Sequence, residues 1–305
     1  MATTYTYEKM KWLIVGGGGQ FGCAMQAELA NAGVEFVVLS HARLDITNEN
    51  AVMSVFKEIR PEIVLNAAAW TNVDDAEGAE SEARLVNAFG PGVLAKACSI
   101  NSSKFVHLST DYVFSGISRR PWSESEVPNP VSAYGRTKAE GELLVQSLYP
   151  EGSFILRTAW LYSPWGRNFA KIMVQLALEG KDEIEVIDDQ VGQPTLALDL
   201  AKRIHQMIDT GLAPGIYHGT NSGSTSWFNF AREIFQLAGA DPDRVIPVES
   251  NRYLRAARRP AYSVLGHDGW SRAGLNPMRD WQEALQDGFP AIISAVRQGR
   301  ERNGI

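Results

Sequence analysis

The amino-acid sequence predicts an α/β protein built on a doubly wound parallel sheet. Short apolar runs of strand length alternate with helical segments through the first half of the chain. A glycine-rich turn joins the first run to the first helix, and polar residues follow later runs where open α/β sheets bind ligands. These features are typical of a Rossmann-type sheet. The length of 305 residues also leaves room for a smaller C-terminal substrate-binding lobe.

The glycine-rich turn follows the predicted first strand, Trp12–Val15. Gly16, Gly19 and Gly22 are spaced GxxGxxG, and a helix is predicted over 23–32. Glycine allows a tight turn and lets the backbone approach a pyrophosphate with no Cβ between them. The helix start adds unpaired N–H groups and the positive end of its dipole. The turn therefore predicts a dinucleotide site, although glycines also close ordinary loops.

The end of the second predicted strand, 35–39, indicates which dinucleotide binds. An acidic residue at this place binds the ribose of NAD, whereas an arginine accommodates the 2′-phosphate of NADP. Ser40 and Arg43 follow this strand with no acid beside it. We therefore expect NADPH, with NADH as the open alternative. Asp45 is expected either to cap a helix over 48–59 or to contact the adenine, and the two uses are compatible.

Two further strands end in residues that suit a ligand site. Strand 63–65 runs into Asn66–Trp70, where three alanines leave room for a flat ligand or for close helix packing. A helix is predicted over 79–100. Strand 104–108 then leads directly into Ser109, Thr110 and Asp111, a polar set at the edge of the sheet where ligands bind.

Tyr134 and Lys138 lie four residues apart on a helix predicted from Ser132 to about Ser147, hence on one face of it. A neighbouring ammonium favours the phenolate and lowers the pKa of a tyrosine. The pair suits acid–base chemistry at a carbonyl or an alcohol. Alone, this spacing is common on solvated helices. After a glycine turn and a Ser-Thr-Asp strand end, it becomes specific.

The rest of the chain predicts further strands and helices and a division into two parts. Strands are expected at 154–161, 184–187 and 215–219, the last returning to the main sheet, and helices at 168–179, 198–208, 228–237 and 281–296. We expect a disordered tail (1–9), an NADP-binding domain (10–162 and about 186–220) and a substrate lobe (163–185 and 221–305).

Composition limits the partners and the compartment. The net charge of −6 argues against a general nucleic-acid binder. No apolar run approaches the roughly 18 residues that cross a bilayer, and no signal peptide is evident. Two cysteines form no disulfide framework, which favours the cytoplasm. The five histidines lack ligand spacing, so no metal residues are predicted. A monomer and a homodimer both stay open.

Several ordered motifs carry a resemblance to a known family. They are GGGGQFG (16–22), NAAAWTNVDDAE (66–77), STDYVFSG (109–116), YGRTK (134–138), RTAWLY (157–162), NFAKIM (168–173), DDQVGQPT (188–195) and RRPAYS (258–263). The chain resembles the extended short-chain dehydrogenase/reductases and, within them, the dTDP-4-dehydrorhamnose reductase family. Where that family commonly has RTSWVY, Ala159 and Leu161 differ, which affects only the sugar pocket.

The resemblance implies catalytic, cofactor and substrate residues. Thr110, Tyr134 and Lys138 would form the catalytic set, with Tyr134 giving its proton to the C4 oxygen. With the glycine-turn and strand-end residues above, the expected cofactor residues are Gly16, Gly19, Gln20, Phe21, Gly22, Ser40, Arg43, Asp45, Ile46, Ala69, Trp70, Thr71, Tyr134 and Lys138. The expected substrate residues are Thr110, Asp111, Trp160, Asn168, Gln193 and Arg259.

Arg259 is selected on chemical grounds. It belongs to a cluster with Arg252, Arg255 and Arg258, and the planar guanidinium fits diphosphate oxygens. A solvated helix face is the alternative for each of these arginines. Some relatives bind a divalent ion at a dimer contact, but Glu283 alone gives Mg²⁺ no support here.

Three functions follow as hypotheses. The leading one is the NADPH-dependent reduction of the C4 ketone of dTDP-4-dehydro-L-rhamnose to dTDP-L-rhamnose. A related dTDP-4-keto-6-deoxysugar reductase, such as a dTDP-dihydrostreptose synthase, would share the fold and the catalytic set. A non-catalytic regulatory subunit resembling methionine adenosyltransferase β is the third, and the intact Thr110, Tyr134 and Lys138 argue against it.

Overall fold

The computed structural model describes residues 11–180 and 183–302, so the predicted tail over 1–9 lies outside the described residues. In chain order the strands are β1 (Trp12–Val15), β2 (Phe36–Leu39), β3 (Ile63–Asn66), β4 (Lys104–Thr110), β5 (Ser153–Thr158), β6 (Leu161–Tyr162), β7 (Ile184–Ile187), β8 (Val191–Gly192), β9 (Thr195–Leu196), β10 (Gly215–His218), β11 (Asn221–Ser222), β12 (Thr225–Ser226), β13 (Val245–Val248) and β14 (Met278–Asp280).

The α-helices are α1 (Gln20–Asn31), α2 (Glu49–Ile59), α3 (Asp75–Gly78), α4 (Glu80–Arg84), α5 (Gly90–Asn101), α6 (Ala133–Leu148), α7 (Phe169–Leu178), α8 (Ala197–Asp209), α9 (Trp227–Leu237), α10 (Asp268–Arg272) and α11 (Trp281–Arg302). A π-helical turn covers Leu85–Phe89, and short 3₁₀ turns cover Asp111–Val113, Pro242–Arg244 and Ser250–Arg252. None of these helices is long and apolar enough to cross a bilayer.

The main sheet has six strands in the order β10-β5-β4-β3-β1-β2, and every neighbouring pair is parallel. This arrangement confirms the predicted α/β fold, including the return of the strand near 215 to the sheet. The connections run to opposite sides of β1, because β2 and β3 flank it. Ligands of such sheets bind at this point, beyond the carboxyl ends of the strands.

Helices cover both faces of the main sheet, which explains why most residues of its strands are apolar. Alternate residues of β1 divide between the faces. Trp12 and Ile14 pack with α1 and α8, whereas Leu13 and Val15 pack with α2 and α5. Because each face has its own buried cluster, the sheet is fixed between two helical layers and its carboxyl edge stays free for a site.

A separate apolar cluster lies outside the sheet. It joins α7, α9 and α11 through side chains that include Val174, Phe230 and Leu285. Tyr162 at the end of β6 contributes to it, and the small parallel pair of β7 and β13 packs beside it. The elements lie largely where a substrate lobe is expected, and the boundaries of the two parts stay a prediction.

The helix predicted over 79–100 is present as one helical run over 80–101, but the π-helical turn at Leu85–Phe89 interrupts its regular hydrogen bonding between α4 and α5. Pro91 has no N–H to donate to the carbonyl of Asn87, which weakens a regular helix there. That carbonyl instead lies against Gly141 of α6, where an added Cβ would overlap it. A π-helical turn of this kind commonly marks a functional site.

The predicted strand over 154–161 is also interrupted. β5 ends at Thr158, and Trp160 has a φ of +46°, a left-handed conformation that is unusual for a residue with a side chain. The chain resumes as β6, which pairs with β9 instead of the main sheet. The apolar sequence continues through this turn, so hydrophobicity alone does not reveal it.

The Arg157–Glu142 ion pair joins β5 to α6 within the protein interior. The guanidinium contacts the carboxylate at 2.7 Å, and the two side chains are 1% and 2% exposed. Arg157 also approaches the carbonyl of Glu124 and lies 4.9 Å above the Phe114 ring. The pair therefore anchors the loop that follows β4.

We expect Glu142→Gln to lower the free energy of unfolding by about 3 kcal/mol, because it leaves a buried guanidinium without its counter-charge. Urea denaturation measures the change. Glu140→Gln is the matched control on the same helix, since Glu140 pairs with Arg84 in solvent and its loss should matter little. Equal effects of the two substitutions would contradict the assigned role of the buried pair.

Candidate active site

A cleft of about 440 Å³ opens beyond the carboxyl ends of β1, β2 and β3. Its walls come from the glycine turn, the end of β2 and the alanines after β3. The lining residues are Val15, Gly16, Gly18, Gly19, Ser40, His41, Leu44, Asp45, Ile46, Ala67, Ala68, Ala69, Trp70 and Val86. Seven predicted cofactor residues are among them, whereas the other seven, Gln20, Phe21, Gly22, Arg43, Thr71, Tyr134 and Lys138, are not.

The glycines of the turn serve two different purposes. Gly16 has a φ of +80°, and an added Cβ would overlap the backbone nitrogen of Ala68. A Cβ at Gly22 would lie 2.6 Å from the carbonyl oxygen of Gly16. Both glycines are therefore required for packing. At Gly18 nothing lies within 4 Å of an added Cβ, so this part of the turn faces open space.

The first turn of α1 suits an anion. Gly19 is its N-cap and offers no side chain to the first N–H groups, and no acidic residue lies in that turn. Gly19 lines the cleft, so these donors and the positive dipole end lie at its wall. Gly18 lines it as well and leaves the backbone of the turn open to a ligand. The residues present fit the pyrophosphate of a dinucleotide.

Gln20 joins the glycine turn to the chain that follows β6. Its Oε1 accepts hydrogen bonds from Ser163 Oγ at 3.2 Å and from Asn168 Nδ2 at 2.9 Å. Asn168 also caps α7 by accepting from the backbone N–H of Lys171. Gln20 is predicted to bind the cofactor and Asn168 the substrate, and the two side chains contact one another.

The residues after β2 take different positions. Ser40 lines the cleft, whereas Arg43 is exposed beside it. Asp45 accepts hydrogen bonds from the backbone N–H and the hydroxyl of Thr47, which hold the pKa of its carboxyl below the usual value. The expectation that Asp45 caps the helix is wrong, because Asn48 caps α2. Its place in the cleft leaves the adenine contact as a prediction.

Thr110 and Tyr134 lie at the ends of two elements. Thr110 ends β4, donates from its hydroxyl to Asp111 Oδ1 at 3.0 Å and accepts from the N–H of Tyr112. Tyr134 begins α6, which Ser132 caps. Burial raises the pKa of Tyr134 to about 12, and the hydroxyl of Thr110 acts in the opposite direction. The phenol is therefore protonated at neutral pH.

Lys138 lies one turn further along α6 and is buried. Its Nζ donates to the carbonyl of Leu108 at 2.6 Å and lies 3.4 Å from His107 Nε2. Burial lowers the pKa of Lys138 to about 8. The predicted lowering of the Tyr134 pKa by Lys138 is wrong, because burial of the phenol outweighs it and the amine faces β4.

Asp111 is a buried carboxyl next to Thr110. Burial raises its pKa to about 6, while hydrogen bonds from Ser263 and Thr110 act to lower it. Its Oδ2 makes no hydrogen bond of ordinary length to the described residues. A buried oxygen left in this way costs stability, so its presence indicates a ligand contact.

Trp160 is held rigidly between two neighbours. Its ring stacks on that of Trp227 with centroids 3.5 Å apart and planes 10° from parallel. On the other side it lies so close to Gly192 that an added Cβ would come within 2.6 Å of the indole. The strained backbone and these two contacts fix one orientation of the ring.

Gln193 and Arg259 already have protein partners. Gln193 accepts from the Thr220 hydroxyl at 2.9 Å and from the Leu265 N–H at 2.8 Å. Arg259 binds Asp74 through both terminal nitrogens, at 3.1 and 2.8 Å. The predicted contacts of these two residues with substrate stay predictions.

Asn87 is a site residue that the motif analysis missed. Its side chain accepts from the N–H of Trp70 at 2.8 Å and donates to the Trp70 carbonyl and to Thr137 Oγ1, each at 3.1 Å. It therefore fixes the cleft wall relative to the helix that carries Tyr134. The signal in the sequence that could have revealed Asn87 is Pro91, four residues later, because Pro91 has no N–H to donate to the carbonyl of Asn87. Within residues 11–180 and 183–302, no three His, Cys, Asp or Glu side chains are grouped to hold a metal.

Comparisons with known proteins cover nearly the whole chain. Residues 10–292 match the family described as the RmlD substrate binding domain. A dTDP-4-keto-6-deoxy-D-glucose reductase of Streptomyces niveus is 46% identical over 92% of this chain and 97% of that protein. A dTDP-4-dehydrorhamnose reductase of Streptomyces griseus is 43% identical over 96% and 97% of the two chains.

A solved structure agrees with these matches. The dTDP-4-dehydrorhamnose reductase of Bacillus anthracis, solved in complex with NADP, is 39% identical and superposes with a TM-score of 0.89. The superposition covers 92% of this chain and 99% of that one. The chain therefore belongs to the family of the RmlD substrate binding domain and, with its reductase relatives, is an oxidoreductase.

Proposed function

We propose that this protein uses NADPH to reduce the C4 ketone of dTDP-4-dehydro-L-rhamnose, giving dTDP-L-rhamnose. The observation that carries the proposal is a protonated Tyr134 beside Thr110, which ends β4 at the same carboxyl edge of the sheet where β1, β2 and β3 end at the cleft. A phenol with a pKa of about 12 holds its proton at neutral pH, as a proton donor must. The names of the relatives supply the substrate class.

The proposed cofactor site uses the open part of the glycine turn. The N-terminus of α1 and the backbone at Gly18 and Gly19 hold the pyrophosphate, and Asp45 and Ile46 lie at the adenosine end. Ser40 and the exposed Arg43 favour a 2′-phosphate, in accord with the NADP complex of the Bacillus anthracis relative. When bound, NADPH supplies the hydride for C4.

The chain's own groups supply the proton and orient the sugar. Tyr134 donates its phenolic proton to the oxygen at C4, and Thr110 hydrogen-bonds the same oxygen. The free Oδ2 of Asp111 accepts from a sugar hydroxyl. The indole plane of Trp160 lies against the apolar face of the sugar ring. Lys138 holds the ribose next to the nicotinamide.

A second substrate has specific support. The Streptomyces niveus relative is named for dTDP-4-keto-6-deoxy-D-glucose and is slightly more identical to this chain than the Streptomyces griseus rhamnose reductase. The catalytic groups described here act at C4 and do not distinguish between the configurations of such sugars. The alternative proposal is therefore a related dTDP-4-keto-6-deoxysugar reductase.

We expect the protein to oxidise NADPH, and NADH more slowly, when dTDP-4-dehydro-L-rhamnose is present. Absorbance at the nicotinamide band measures the rate, and NMR of the product identifies the configuration at C4. Turnover only with dTDP-4-keto-6-deoxy-D-glucose would select the alternative. An absence of turnover with either sugar would refute both proposals.

Tyr134→Phe should lower kcat at least about 100-fold, because it removes the proton donor and leaves the cleft unchanged. The dissociation constant of NADPH, measured by fluorescence quenching, should change less than about threefold. Tyr149→Phe is the matched control, since Tyr149 is also buried but packs with the apolar cluster under α2 and α5. A normal rate in Tyr134→Phe would exclude this residue as the donor.

Asp111→Asn should stabilise the protein at pH 7.5 while weakening the use of substrate. The folded-state pKa is raised to about 6, so ionisation of Asp111 destabilises the native state as the pH rises from about 4 to 6. Asparagine removes this penalty, which predicts a gain of about 3 kcal/mol at pH 7.5 that disappears near pH 4.

Chemical denaturation at several pH values measures this gain, and kcat/KM should fall in the same variant. Asp45→Asn is the control within the same cleft. The pKa of Asp45 is lowered in the folded protein, so its substitution should destabilise the protein at pH 7.5. Stabilisation by Asp45→Asn, or none by Asp111→Asn, would contradict the assigned environments.

A further inference from the structure

His107 lies beneath the candidate active site and has no role in the proposed reaction. It is fully buried in β4, where its ring stacks on Phe105. Its Nδ1 lies 3.1 Å from Nδ2 of Asn66 in β3, and its Nε2 lies 3.4 Å from Nζ of Lys138 in α6. Three buried polar side chains from three elements thus form one chain of contacts.

The orientation of Asn66 determines which ring nitrogen carries the proton. Its Oδ1 accepts from the backbone N–H of Ala68 at 3.0 Å, so its Nδ2 is the atom that faces His107. An amide Nδ2 can only donate, which requires His107 Nδ1 to accept. Burial and the nearby Lys138 hold the pKa of His107 well below its usual range, so the ring is neutral. The proton of the neutral ring is then on Nε2.

That proton points at Lys138. A neutral amine has a lone pair that accepts from Nε2–H, whereas an ammonium has only donors. If Lys138 were an ammonium, one of its N–H groups would face the Nε2–H of His107, and these two nitrogens are only 3.4 Å apart. The carbonyl of Leu108 accepts one N–H of Lys138 in either state. The contact therefore favours the neutral amine over the charged one.

Other charged groups around α6 already have partners. Glu142, on the same helix, favours the charged form of Lys138 but is itself paired with Arg157 of β5. Asp111, in the turn after β4, accepts from Thr110. Further charges pair at the exposed side of the helix, among them Glu77, Glu80, Arg84, Arg136 and Glu140.

We propose that His107 is a positioning residue that sets the protonation of Lys138, with its tautomer fixed by Asn66. The N–H of Ala68 that holds Asn66 belongs to the wall of the dinucleotide cleft, and Ala68 packs directly on Gly16. A movement of this wall would change the hydrogen bonding of Asn66 to His107 and, through it, the charge of Lys138. The effect of this arrangement on catalysis rests on the proposed function, whereas the tautomer of His107 and the titration of Lys138 do not.

Nitrogen-15 NMR of the histidine rings tests, in the unmodified protein, which ring nitrogen of His107 carries the proton. We expect His107 to carry its proton on Nε2 at pH 7. A proton on Nδ1, or a charged ring, would overturn the proposal. This measurement needs neither substrate nor turnover, so its failure is distinct from failure of the proposed reduction.

Asn66→Leu tests whether the tautomer of His107 sets the protonation of Lys138. The substitution keeps the volume and the charge of the side chain nearly constant. Without the Asn66 donor, the ring can move its proton to Nδ1 and accept from an ammonium. We expect the titration midpoint of Lys138, followed by NMR of lysine labelled at Cε, to rise by about one pH unit. The His107 proton should move to Nδ1 in the same variant.

Ser109→Ala is the matched control, because Ser109 is also buried in β4, two residues from His107. It should leave the His107 tautomer and the Lys138 midpoint as they are. An unchanged Lys138 midpoint in Asn66→Leu would overturn the proposal. If that variant does not fold, the ring measurement still tests the His107 tautomer, and the Lys138 midpoint of the unmodified protein tests the amine: a midpoint at that of an exposed lysine would overturn the proposal.

Discussion

The contact between the glycine turn and the end of β3 is the constraint on which the candidate site depends. Gly16 lies directly against the backbone of Ala68, and its positive φ and missing Cβ allow this approach. The same Ala68 holds Asn66 by a hydrogen bond, and Asn66 contacts His107 beside Lys138. One close backbone contact thus links the cleft to the helix that carries Tyr134 and Lys138.

Amide side chains fix the other walls of the cleft. Asn87 ties the backbone of Trp70 to Thr137 on α6, and Gln20 ties the glycine turn to the cap of α7 at Asn168. An amide can donate and accept at the same time, so each joins two elements that share no secondary structure. The site is therefore held by side-chain hydrogen bonds across elements more than by the sheet itself.

The sequence predicts the sheet well, because every main strand is a short apolar run between polar or glycine-rich turns. It also places Thr110, Tyr134 and Lys138 in the correct elements. It fails where a contact across the fold decides the outcome. Helical spacing puts Lys138 beside Tyr134, but the Leu108 carbonyl, thirty residues earlier, determines where Nζ lies. The break at Trp160 likewise depends on Trp227 and Gly192.

Burial acts on the three titratable groups of the site in a way that suits reduction. It raises the pKa of Tyr134 to about 12 and of Asp111 to about 6, and it lowers that of Lys138 to about 8. In each case the neutral form gains, since a low-dielectric site disfavours charge. Tyr134 is therefore protonated at neutral pH, and the pKa of Lys138 lies close to neutral pH. In the reaction that we propose, the phenol would hold the proton for the ketone, and the wall of the cleft would act on the charge of the amine through Asn66 and His107.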